Sequence, residues 1–259
     1  MMKSRIDINP ALRGTGIGTL AGAVASCGLP DACEIIYRGR NVLALLESAG
    51  LVIKCYAVPG FIKGLIYRWF RTPKSLRAYR NALKLQELGI PTPAPAFAIE
   101  NYSHGRLTTS YYACEALTGW SDIHDVEQRP DFPEIVRALA EFIYRMHAQG
   151  VMMLDMNPGN ILFREKEGGG WEFSLVDINR MYFGEASRRR LVENNFRALT
   201  DTVEGSVAVA REYGRLLERD GIDFPGGGDM GRRARAIYED FFRRRRRKYV
   251  IKNFFRGKK

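Results

Sequence analysis

GVMMLDMNPGNILFREKEGGGWEFSLVDIN, residues Gly150–Asn179, is the stretch that decides how this chain is read. Four apolar residues, Val151 to Leu154, deliver Asp155 to a tight turn, Met156-Asn157-Pro158-Gly159, and Asn160 follows five positions after the aspartate. Ile161, Leu162 and Phe163 open a short apolar strand, the polar, glycine-rich run Glu165–Gly170 predicts a reversal, and a second strand, Trp171–Val176, ends on Asp177. A hairpin between these strands is expected to bring Asp155, Asn160 and Asp177 to one edge. Such a grouping suits a base near a hydroxyl, with amide and carboxylate oxygens holding magnesium against phosphates. The plainer reading of the same residues is an Asx-turn with two solvated carboxylates.

Outward from this stretch, the patterns alternate between the strand and helix periods. Glu34–Tyr37 and Val42–Leu46 read as strands around Arg38-Gly39-Arg40-Asn41, a hairpin signal, and Leu51–Tyr56 is a further strand carrying Lys54. Ser75–Leu88 predicts a helix with Leu76, Tyr79, Leu83 and Leu88 to one side; Gly89 ends it and Pro91 and Pro93 follow. Phe97–Glu100 and Thr108–Cys114 are strand-like. Pro133–Gln149 is the clearest helix, with Ile135, Leu139, Phe142, Ile143 and Met146 at spacings of three and four, stopped by Gly150. His147 in its last turn reads as a capping or core histidine rather than a catalyst. Asn194–Leu217 reads as helical, and Pro225-Gly226-Gly227-Gly228 breaks the chain before a last helix from Gly231 to about Tyr249.

The D-x-x-x-x-N of Asp155 and Asn160, followed by a strand-terminal Asp177, resembles the catalytic loop and metal-binding aspartate of the protein-kinase-like fold. The wording GVxxxDxNPGNIL and then VDxNR resembles the lipopolysaccharide-core kinases, the Kdo/heptose (WaaP-type) family. The resemblance implies an α+β fold of two lobes: an N-terminal extension (1–30), a small β-rich lobe (31–117), a larger helical lobe (118–240) and a basic, aromatic tail (241–259). It implies Asp155 as the catalytic base, Asn160 and Asp177 as magnesium ligands, and Lys54 on the nucleotide phosphates. By the same likeness, the hairpin around Gly39 covers the nucleotide, and the backbone of Glu115-Ala116-Leu117 is the hinge that meets adenine. Cofactors are then ATP and Mg2+.

The chain departs from that pattern in four places. Its phosphate hairpin has one glycine where many kinases have three. No acid occurs from Ser75 to Leu85, where the family places the helix glutamate that pairs with the strand lysine; the expected site falls near Ala78, beside Tyr79, Arg80 and Asn81. Lys54 must find another partner, such as Asp177. Met153 stands where many kinases carry the histidine of H-R-D, and Asn179 where the DFG pattern has glycine. Arg180 after it suits either a substrate anion or an internal aspartate.

Composition sets the remaining bounds. The 259 residues are 46% hydrophobic and 27% charged, a globular balance. Cys27, Cys33, Cys55 and Cys114 form no C-x-x-C, so neither a zinc site nor a disulfide framework is expected, and a reducing compartment fits better. Near the N-terminus, Val24-Ala25-Ser26-Cys27 imitates a lipoprotein box and Gly14-Thr15-Gly16-Ile17-Gly18 a phosphate loop. The first lacks a continuous apolar region and the second a preceding strand, so residues 1–30 are expected to be a flexible or Ala/Gly helical extension.

The net charge of +11 is placed unevenly. From Arg232 onward there are 13 Lys/Arg against Glu239 and Asp240, so the body is neutral and the tail carries the excess. Arg243–Lys248 is an unbroken basic run, followed by Val250-Ile251 and Phe254-Phe255. Pro59–Arg71 also interleaves aromatic and basic residues, suiting a membrane interface or a packed connection. Arg188–Arg190 reads as a solvated face. The tail fits an anionic membrane surface, the choice the family resemblance favours, with nucleic acid as the competing polyanion and a solvated basic tail with no specific partner as the plainer reading.

The resemblance, with these features beside it, implies an ATP-dependent kinase that phosphorylates a sugar hydroxyl (Kdo or heptose) of lipopolysaccharide inner core. It would take lipid A-core as acceptor and work in the cytoplasm, peripheral on the inner face of the membrane. The alternatives are a kinase of another small molecule or of protein, and a pseudokinase or polyanion-binding adaptor, which would account for the missing helix acid.

Overall fold

The structure, a computed structural model, describes residues 2–57, 60, 71–184, 195–222 and 229–256, with the side chains of 2 and 249–256 outside the description. Most of Pro59–Arg71, Arg188–Arg190, Pro225–Gly228 and the side chains of the tail's last aromatics therefore lie outside the described residues. The chain forms two compact units, Met1–Thr118 with Val176–Arg180, and Gly119–Leu175 with Met181–Lys259.

The first unit is built on a six-stranded antiparallel sheet, from β1 (Met2–Ile8), β2 (Glu34–Arg38), β3 (Val42–Leu46), β4 (Leu51–Tyr56), β5 (Pro95–Ser103) and β6 (Arg106–Glu115). Their order is β1-β5-β6-β4-β3-β2. Helix α1 (Ile17–Cys27) lays its small residues Ala21, Val24 and Ala25 on Ile53, Phe97, Ile99 and Ala113. Helix α2 (Lys74–Glu87) packs against β5 and β6 through Leu76, Ala78, Tyr79, Ala82 and Leu85. β5 is buried at every position from Pro95 to Asn101, as a strand covered on both faces must be.

Of residues 1–30, the expected Ala/Gly helix forms as α1, but the segment is built into the sheet rather than extending from it. β1 pairs with β5 from Met2–Ser103 to Ile8–Phe97, and α1 belongs to the sheet's core. The physical reason is that an edge strand bonds on one side only, so the exposed Arg5 and the half-buried Asp7, paired with each other, are tolerated and blunt the open edge. Asn9 fastens the end of β1, donating from Nδ2 to the Pro95 carbonyl at 2.7 Å and accepting from the Ala11 amide at 3.0 Å. The Gly14–Gly18 loop serves as the entry to α1.

In the second unit, β7 (Ser121–Asp122), β9 (Ile161–Glu165) and β10 (Trp171–Leu175) make a sheet in the order β10-β9-β7. β8 (Val151–Met153) pairs with β11 (Met181–Phe183). The hairpin read from the sequence forms, with Phe163 opposite Phe173 and their rings 6.5 Å apart. Helix α3 (Phe132–Ala148) buries the stripe Ile135, Leu139, Phe142, Ile143 and Met146 and ends at Gly150, whose φ of +70° lets the chain turn into β8.

Helix α4 (Val203–Arg219) starts later than Asn194, because Thr202 caps it by accepting from the Gly205 amide at 3.0 Å. Helix α5 (Met230–Arg256) packs on α4 and runs beyond the expected Tyr249.

Gly150 is fixed by two constraints at once, its positive φ and the carbonyl oxygen of Gly184, which would lie 2.9 Å from an added Cβ. Gly150→Ala should therefore destabilise the protein by about 2 kcal/mol or more, read as a lower urea midpoint at unchanged slope.

Candidate active site

Within the first unit, Lys54 points from the middle of β4, a strand paired on both sides, so its stem is fixed by neighbours on β3 and β6. Its Nζ donates to Asp177 Oδ1 at 2.5 Å, with the two side chains 13% and 36% exposed. Asn179 Nδ2 donates to the same carboxylate oxygen at 2.7 Å. Asn81 of α2 donates to the Ile178 carbonyl at 2.7 Å, tying that helix to the segment that carries Asp177.

Asp177 itself adopts a left-handed conformation, φ +52°, which Asp and Asn tolerate better than most side chains. The ammonium thus finds its carboxylate on the segment after β10, not on α2. Asn81 lies one helical turn beyond Ala78 and contributes a neutral tether in place of an acid.

The hinge candidates end β6. The Glu115 amide donates to the Ala94 carbonyl at 2.8 Å and the Ala116 amide to Gly50 at 2.9 Å, while the Glu115 carboxylate accepts from the Ala94 amide at 3.3 Å. Leu117, next in line, makes no backbone hydrogen bond of this kind among the described residues. Glu115 is therefore engaged structurally on both its amide and its side chain. The β2–β3 loop is tied down by Asn41, whose Oδ1 accepts from the Ala57 amide at 3.2 Å, and a side chain at Gly39 would run into the ring of Tyr37.

Within the second unit, the turn after Asp155 closes on the aspartate's own carbonyl. It accepts from Asn157 Nδ2 at 2.8 Å and from Asn160 Nδ2 at 2.9 Å. With its nitrogen used in this way, Asn160 keeps Oδ1 as an acceptor. The Asp155 side chain is 47% exposed and has the Arg197 guanidinium at 3.9 Å. Arg197 also donates to the Leu154 carbonyl at 3.0 Å and lies over the Phe241 ring of α5 at 5.2 Å. His124 is bound by Asp201 at 2.9 Å and borders Gly159 in the same turn.

Beneath the loop, Asn195 donates to the Met153 carbonyl at 3.1 Å and accepts at Oδ1 from His147 Nε2, also at 3.1 Å. That acceptor fixes the tautomer: His147 carries its proton on Nε2, and Nδ1 accepts from the Tyr213 hydroxyl at 3.0 Å. His147 is accordingly a buried support for the loop, as its place in the last turn of α3 suggested. Asn195 and Arg197 were not singled out in the sequence. No local motif surrounds them, and only their polar character among core positions sets them apart.

Each unit by itself offers an oxygen of the kind a hard cation takes: in the first, both bonds received by Asp177 fall on Oδ1 and leave Oδ2, and in the second, Asn160 keeps its amide oxygen. Among the described residues no three His, Cys, Asp or Glu side chains gather into a metal cluster. Magnesium bound through one or two protein oxygens takes its remaining ligands from water and substrate phosphates.

Comparison with known proteins follows this geometry. A family model described as "Lipopolysaccharide kinase (Kdo/WaaP) family" matches residues 59–219, while no curated protein matches the chain. Among solved structures, WaaP in complex with acyl carrier protein is similar over 90% of this chain and 99% of that one, at 19% identity and a TM-score of 0.52. The Rio2 kinase–ADP/Mg2+–phosphoaspartate complex from Chaetomium thermophilum is similar over 89% of this chain and 67% of that one, at 15% identity and a TM-score of 0.45. The first likeness is one of fold, and the fold is kinase-like.

Burial pushes His147 down to about 4, with the bond to Asn195 opposing. An unfolded chain takes up this proton near pH 6.5 while the folded one resists it. Stability should be full above that value and fall by about 3 kcal/mol as pH drops towards 4. Denaturant midpoints between pH 7.5 and 4.5 measure the slope, and His147→Asn should flatten it; equal slopes would assign it to another group.

Proposed function

The chain belongs to the lipopolysaccharide kinase (Kdo/WaaP) family, and we propose that it transfers the γ-phosphoryl group of ATP to a hydroxyl of a Kdo or heptose sugar in the lipopolysaccharide inner core. One observation carries this reading: Lys54 is held 2.5 Å from Asp177, in a chain that also closes Asn157 and Asn160 onto the Asp155 carbonyl. Asp155 accepts the proton of the acceptor hydroxyl and orients it. Lys54 steadies the nucleotide phosphates, the β2–β3 loop around Gly39 covers them, and the Leu117 amide meets the adenine edge. Asn160 and Asp177 each give an oxygen to Mg2+, which when bound neutralises charge on the transferring group. Positioning and charge neutralisation then do most of the catalysis, as phosphoryl transfer requires.

The helix acid missing from α2 favoured an adaptor reading as long as Lys54 had no partner. The Lys54–Asp177 pairing supports the kinase reading over the adaptor. The deciding experiment is transfer of labelled phosphate from ATP to purified lipid A–Kdo acceptors, with and without Mg2+. Asp155→Asn should cut transfer roughly a hundred- to ten-thousand-fold while leaving ATP binding intact. Transfer that survives the substitution would remove Asp155 from the chemistry.

The exposed basic run Arg243–Lys248 on α5 supports a second part of the proposal, docking on an anionic membrane surface at the cytoplasmic face. None of the described helices is long and apolar enough to cross a membrane. WaaP is seen with acyl carrier protein, and a protein of that kind is the second candidate for the same surface. Replacing Arg243 to Arg247 with glutamine should weaken binding to phosphatidylglycerol vesicles by about 1 kcal/mol per charge. Co-sedimentation measures this, and unchanged binding would place the membrane contact elsewhere.

A further inference from the structure

Helix α2 begins against the usual electrostatic preference. Anions stabilise the first turn of a helix and cations oppose its dipole, yet this turn holds Lys74 and Arg77 and no acid. Lys74 Nζ lies 5.9 Å from the centre of the Tyr56 ring, and Lys54 Nζ lies 5.5 Å from the same centre, so one aromatic ring is shared by two ammonium groups. The Lys74 ammonium is pushed below its ordinary range, by burial first and then by Arg40; Lys54 and Arg77 act the same way, and Asp177 alone opposes them. Lys74, Arg40 and Lys54 are therefore close enough to oppose one another, and among the described residues the carboxylate that offsets them, Asp177, already holds Lys54.

Two buried hydroxyls belong to the same region and have no hydrogen-bond partner among the described residues. Tyr56 Oη, on a residue 4% exposed, is within electrostatic reach of both Asp177 and Arg77. Ser75 Oγ, on a residue 0% exposed, sits in the first turn of α2. Clustered like charges and unmet buried hydroxyls both disfavour the folded state unless a multivalent anion meets them.

We propose that Lys74, with Ser75 and Arg77 from the first turn of α2 and Arg40 from the β2–β3 loop, forms a second phosphate-holding site beside Lys54 that takes the polyphosphate chain of the nucleotide. This rests on the kinase reading above and extends it. Where the kinase-like fold is expected to place an acid on this helix to orient the strand lysine, Asp177 does the orienting here. The helix is thereby released to hold phosphate itself.

Titration calorimetry on the full chain tests the site, with ATP–Mg2+, adenosine and tripolyphosphate as probes against wild type, Lys74→Met, Lys74→Arg and Arg40→Gln. Lys74→Met should weaken ATP and tripolyphosphate about tenfold or more and leave adenosine unchanged. Lys74→Arg should recover most of the loss. Arg40→Gln, on an exposed loop with little bearing on folding, should give a smaller loss of the same kind. A Lys74→Met protein that binds ATP as wild type does, or that loses adenosine in step with ATP, overturns the site and leaves the kinase reading standing. A wild type that ignores ATP yet holds tripolyphosphate through Lys74 ends the kinase reading and keeps the anion site. Binding of neither probe ends both.

Discussion

The contact between the Lys54 ammonium and the Asp177 carboxylate is the constraint on which the rest of the candidate site depends. The Lys54 side chain is largely withdrawn from water and gains a carboxylate partner there, while Asp177 stays 36% exposed. The lysine is fixed because β4 is an inner strand, and the carboxylate is fixed because its residue is bent into a left-handed turn just past β10. Asn179 shares the carboxylate, and Asn81 clamps the neighbouring carbonyl to α2. Charge pairing, turn geometry and two neutral tethers thus replace the helix glutamate expected of kinases.

The second unit reaches the same end by different means. Its loop backbone from Met153 to Asp155 is held at three successive carbonyls, by Asn195, by Arg197 and by the paired amides of Asn157 and Asn160. Met153 has no side-chain hydrogen bond to give, so the support that the H-R-D histidine would supply comes from behind the loop, through the buried chain Tyr213–His147–Asn195. Arg197 also rests on Phe241, so α5, whose far part is the basic run, touches the residue that braces the aspartate. A surface element and the Asp155 carboxylate are two contacts apart.

Much of this was legible in the chain, and what was not has a common cause. The β9–β10 hairpin and α3 announce themselves because their burial is one-sided and periodic, so Phe163, Phe173, Ile135 and Leu139 fall where the pattern puts them. Lys54 and Asp177 were legible through the motif around them, and the absence of an acid on α2 pointed to their pairing. β1 was passed over although Met2, Ile6 and Ile8 alternate with Lys3, Arg5 and Asp7; with Ile6 37% exposed, the alternation marks only a weakly buried edge strand. The late start of α4 was hidden in one side-chain cap at Thr202. Asn81, Asn195 and Arg197 act by single hydrogen bonds to distant carbonyls, which leave no spacing for a reader to find.

The placement of β1 has a consequence for how the molecule comes together. Its partners on β5 lie between 89 and 101 residues further along, from Ile8–Phe97 to Met2–Ser103. During synthesis the strand emerges with an unmet row of amides and carbonyls, and nothing nearby can satisfy them. The hairpins β2–β3–β4 and β5–β6 can zip locally, and β1 must close last, over the longest loop in the sheet. Until it does, the edge of β5 stays open to strands of neighbouring nascent chains, so crowded expression at high temperature should trap this protein in aggregates through that edge before any other.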